Sequence, residues 1–124
     1  MQDEPTPIEL TKAVADFLRN DITPMISGHN AFKLRVAINA LELVVRQLTL
    51  EGESDAAEAG RLAKLLGAQG QLLEQNRALA EKIGKGEFDL AMPGLSEHLW
   101  QTTLAKLAID QPNYASYKRE IGRE

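Results

Sequence analysis

Residues 32–50 read FKLRVAINALELVVRQLTL, and the periodicity of this stretch decides the fold. Leu34, Ile38, Leu41, Val45 and Leu48 recur at spacings of four, three, four and three, and Val36, Ala40 and Leu43 widen the apolar surface. That period is helical. A helix apolar almost all round is a central one, packed on several sides. The exception is a narrow polar stripe: Arg35, Asn39, Glu42 and Arg46 repeat at the same spacings and so share one face. The stripe must meet water or hydrogen-bonding partners.

Three readings compete for these four residues. They can form the solvent edge of a packed helix, with Glu42 and Arg46 as an i,i+4 pair worth a few tenths of a kcal/mol. They can form a buried polar network that fixes the register of the bundle or of a dimer. Or they can line a pocket whose two guanidinium groups bind a carboxylate or phosphate. Charged residues are ordinarily exposed, which favours the solvent edge.

Outward from this helix the punctuation is clear. Thr6-Pro7-Ile8-Glu9 starts a helix: Thr6 caps, Pro7 needs no N–H there, and Glu9 closes a capping box. Leu10, Val14, Phe17 and Leu18 give that helix an apolar face to about Asp21, where Thr23-Pro24 bends or ends it. The central helix spans roughly His29 to Leu50 and stops near Gly52. Ser54 caps a third helix, with Asp55 and Glu58 in its first turn and Gly67 as its stop. A fourth carries Leu72, Leu73, Leu79 and Ile83 and ends at Gly84 to Gly86; a last one carries Leu95, Leu99, Trp100, Leu104 and Leu107. Trp100 is expected to anchor it in the core. No stretch alternates with period two, so no sheet is expected. The fold class is all-α: a single domain over residues 1–124, a bundle of about five mostly antiparallel helices, with 1–5 and 115–124 as frayed ends.

Composition narrows the function classes. With 44% hydrophobic and 26% charged residues in 124, the chain is an ordinary globular domain. It has no cysteine, which removes disulfides, cysteine nucleophiles and thiolate metal sites. The acidic start, Met1-Gln2-Asp3-Glu4-Pro5, lacks the cationic and apolar regions of a secretory signal. No run approaches the roughly 18 apolar residues of a membrane span. The expected location is therefore cytoplasmic, with no membrane partner. The net charge is −4, and neither half is basic, so the footprint of a nucleic-acid binder is missing.

Other chemistry is thin. His29 and His98 lack metal-ligand spacing, and isolated histidines are mostly surface or satisfied structural groups. Glu97 and His98 are adjacent and, on a helix, point about 100° apart. Gly84-Lys85-Gly86 is too short for a phosphate loop and follows a helix. No nucleophile motif is present. No catalytic residue, metal site or cofactor is expected from these residues.

Taken in order, several short strings resemble a bacterial family of uncharacterised domains, domain of unknown function 6285. They are Gln2-Asp3-Glu4-Pro5, Phe17-Leu18, Arg35-Val36-Ala37, Asn39-Ala40-Leu41, Leu65-Leu66-Gly67, Gly86-Glu87-Phe88-Asp89, His98-Leu99, Lys106-Leu107-Ala108 and Pro112-Asn113-Tyr114. The chain departs at Gln111-Pro112, where the family pattern has Asn-Pro. The resemblance implies a setting beside acyl-CoA dehydrogenases and phosphotransferase-like proteins, and it carries over no catalytic residue.

Two function classes follow. One is a non-catalytic helical accessory domain, expected to be a homodimer because many apolar helix faces sit on a short chain. The other is a small-molecule-binding protein or weak enzyme that uses Arg35, Asn39, Glu42 and Arg46 as an anion site.

Overall fold

A computed structural model describes residues 3–122. It contains five α-helices and, among the described residues, no strand. They are α1 (Pro7–Phe17), α2 (His29–Leu66), α3 (Leu72–Gly84), α4 (Leu95–Asp110) and α5 (Ala115–Ile121).

The start of α1 follows the capping-box chemistry. Thr6 Oγ1 accepts from the Glu9 N–H at 3.2 Å, and Glu9 Oε2 accepts from the Thr6 N–H at 3.2 Å. The exit is less regular. Leu18–Ile22 forms a π-helical turn and Thr23–Met25 a 3-10 turn. Pro24 has no N–H to give and its ring crowds the preceding carbonyls, so the chain widens before it turns. Leu18 O accepts both the Thr23 N–H and the Thr23 hydroxyl, the latter at 3.0 Å.

The largest departure from expectation is α2. No helix stops near Gly52 and none begins at Ser54: residues 29–66 form one helix of 38 residues. An interior glycine costs a helix only about 1 kcal/mol relative to alanine. Around Gly52 and Gly60, Glu51, Glu53, Ala56, Ala57, Glu58 and Ala59 supply strong helix formers that carry the ladder through. The true stop is Gly67, which takes a φ of +74° that other residues avoid.

Residue contacts divide the chain into two units, Met1–Glu51 and Gly52–Glu124, with the boundary inside α2. In the first unit Ala15 on α1 and Ile38 on α2 are each 2% exposed. Thr11, Leu18, Leu34, Leu41 and Val45 are half-buried. In the second unit Leu62, Leu79 and Leu95 form the core, one from each of α2, α3 and α4. Leu65, Leu66, Leu72, Phe88 and Met92 pack against it. Each fully buried leucine contributes about 1.5–3 kcal/mol.

Three expectations need correction. Trp100 is 46% exposed and does not anchor the core. The face of α1 formed by Leu10, Val14 and Phe17 is exposed, because Ala15 and Leu18 make the buried face instead. Residues 115–121, expected to fray, form α5.

Candidate functional site

In the first unit, one face of α2 supplies Arg35, Ile38 and Asn39 to a cleft of about 170 Å³. Arg19 from the π-helical turn and Thr23 from the 3-10 turn complete its lining. Arg35 and Asn39 are exposed, whereas Glu42 and Arg46 are half-buried. Glu42 accepts from an Arg19 terminal nitrogen at 2.5 Å. The structure thus brings Arg35 and Asn39 together at the cleft, and Glu42 beside it as the partner of Arg19. Neither Arg19 nor Thr23 was singled out by the sequence. The only signal for Arg19 would have been the antiparallel return of the first helix onto the second.

Chemically, the cleft presents two guanidinium groups, a hydroxyl and an amide. The Glu42 carboxylate already compensates Arg19. Arg35 forms no ion pair among the described residues. That balance leaves about one net positive charge over an opening large enough for a small anion.

The second unit holds a polar cluster that sequence reasoning missed. Arg61 on α2 donates from Nε to His98 Nδ1 at 3.1 Å and from a terminal nitrogen to Thr102 Oγ1 at 3.2 Å. His98 and Thr102 stand four apart on α4 and so share a face. His98 is 2% exposed. Burial lowers its pKa from the ordinary value of 6.5, the Arg61 guanidinium lowers it further, and Glu58 opposes both. Because Nδ1 accepts a hydrogen bond, the ring is neutral with its proton on Nε2. A histidine this enclosed cannot reach a substrate. It fastens α4 to α2.

Gln75 on α3 is also buried: its Nε2 donates to Ala68 O at 3.3 Å, while Oε1 accepts nothing from the protein. It borders a cleft lined by Ala59, Gly60, Ala63, Gln69 and Gly70. Among the described residues no cluster of three or more His, Cys, Asp or Glu could hold a metal ion, and no helix is long and apolar enough to cross a membrane.

No curated protein and no solved structure matches this chain. A family model does match it over residues 24–114, from the Pro24 turn through α2, α3 and α4 to Tyr114. The chain belongs to the family of that model, the Domain of unknown function (DUF6285).

Proposed function

We propose that this chain is a non-catalytic helical interaction domain that works as a homodimer. The carrying observation is the apolar surface left open. Leu10, Val14, Phe17, Phe32, Val36, Val44, Leu48 and Leu50 in the first unit are each 39–56% exposed. A helix as apolar around its circumference as residues 32–50 is ordinarily enclosed. The family resemblance implies a bacterial setting beside an acyl-CoA dehydrogenase or a phosphotransferase-like protein, and the composition of the chain suits a cytoplasmic one. Affinity purification from the native host tests both parts. Recovery of a second, differently tagged copy supports the dimer, and recovery of one of those enzymes supports the setting. A strict monomer that co-purifies with neither counts against the whole reading.

The cleft favours a second reading, an anion-binding protein or weak enzyme for a carboxylate or phosphate. Its support is the convergence of Arg19, Thr23, Arg35 and Asn39 on one opening. A thermal-shift screen with acyl-CoA, phosphorylated and carboxylate ligands decides it. The expected outcome is a ligand-dependent rise in melting temperature that Arg35→Ala abolishes. No rise with any ligand removes this reading.

A further inference from the structure

The exposed apolar side chains of the first unit are not scattered. In a helix each residue advances about 100°, so positions can be measured from the buried face. On α1, Arg19, continuing its spiral, falls roughly 70° to one side of the Thr11–Ala15–Leu18 face, and Leu10, Val14 and Phe17 roughly 70–130° to the other. On α2, Glu42 falls roughly 60° to one side of the Leu34–Ile38–Val45 face, and Val44 and Leu48 roughly 60–100° to the other. The Arg19–Glu42 bond closes the pair of helices along one side. Leu10, Val14, Phe17, Val44 and Leu48, each 42–53% exposed, therefore open together on the opposite side.

Charge identifies what covers this flank. Lys33 and Glu51 lie on the same side of α2 as Val44. Eighteen positions apart, they are about five full turns from one another and project in the same direction. Both are exposed, and neither forms an ion pair among the described residues. They bracket a seam of Ala37, Leu41, Val44 and Leu48 with a cation at one end and an anion at the other. A second copy laid antiparallel matches both ends at once, since the spacing is the same in each chain. Parallel pairing would set lysine against lysine and glutamate against glutamate.

The geometry points to a twofold dimer in which this flank meets its own copy antiparallel. Lys33 of each chain faces Glu51 of the other, and Leu10, Val14, Phe17, Val44 and Leu48 are enclosed between them. α1 and the first half of α2 from two copies then make a four-helix arrangement. A C2 interface requires this kind of self-complementary patch. The inference rests on the homodimer reading and adds to it the face and the orientation.

Charge exchange tests it, because Lys33 and Glu51 are exposed and their replacement leaves the fold intact. Sedimentation velocity of Lys33→Glu and of Glu51→Lys should each show a dimer dissociation constant raised about tenfold relative to wild type, since two attractive surface pairs become two repulsive ones. The double exchange Lys33→Glu/Glu51→Lys should restore the wild-type constant. Val44→Lys, placed at the centre of the seam, should give a monomer with an unchanged circular dichroism spectrum. A wild-type dimer that survives Val44→Lys and is indifferent to both reversals overturns this face while leaving the homodimer reading in place. A monomeric wild type overturns both.

Discussion

Arg61 ties α2 to two side chains of α4. It satisfies His98 Nδ1 and Thr102 Oγ1 together, in a setting where His98 is closed to solvent. Arg61→Ala is expected to cost about 1–3 kcal/mol by leaving a buried acceptor unpaired, which urea denaturation will read directly. The same cluster gives stability a pH dependence with a definite sign. The folded His98 pKa lies below 6.5, so under mildly acidic conditions the unfolded chain binds a proton that the folded chain refuses. Stability from this group is complete above about pH 6.5 and falls as the pH drops from there through the folded value. His98→Asn keeps an acceptor for Arg61 and does not titrate. Its melting temperature should fall less than that of the wild type between pH 7 and 5, and an equal fall would remove His98 as the cause. At this scale the sequence was legible where the partner is local. The Thr6–Glu9 capping box could be read directly because its members are three positions apart. Arg61 and His98 are 37 positions apart, and no local pattern announces that pairing.

Among the elements, α2 sets the lesson. Its first half was readable from the spacing of Leu34, Ile38, Leu41 and Val45, all now buried or half-buried. Its continuation was not, because Gly52 followed by Ser54 carries the local marks of a stop and a cap. Those marks are weak beside eight strong helix formers among residues 53–63 (Glu53, Ala56, Ala57, Glu58, Ala59, Arg61, Leu62 and Ala63) and the burial of Leu62. Nothing lies within 4 Å of a Cβ built on Gly52. Gly52→Ala should therefore stabilise the protein by about 1 kcal/mol, measured by chemical denaturation. A destabilising substitution would mean that the helix does not run through residue 52. The candidate cleft was half legible for a related reason. Periodicity placed Arg35 and Asn39 on one face, yet Arg19 and Thr23 reach them only through the irregular turns before Pro24.

For the whole molecule, the apolar surface is the dominant fact. The second unit encloses Leu62, Leu79 and Leu95 within itself. The first has Ala15 and Ile38 as its fully buried apolar residues and leaves Phe17, Phe32, Val36 and Val44 open. Sequence patterning correctly marked residues 32–50 as helical, but the expectation that this helix is packed on several sides is not met within the chain: Ile38 is buried, while Phe32, Val36, Val44, Leu48 and Leu50 are exposed. Patterning could not say how much of that surface one chain covers, because that depends on contacts between residues far apart in the sequence. In the proposed dimer a second copy would cover this surface without any new element. Light scattering on the purified chain at tens of micromolar tests this account most directly. It predicts a particle of twice the 13.7 kDa chain mass, and a single species of 13.7 kDa would contradict it.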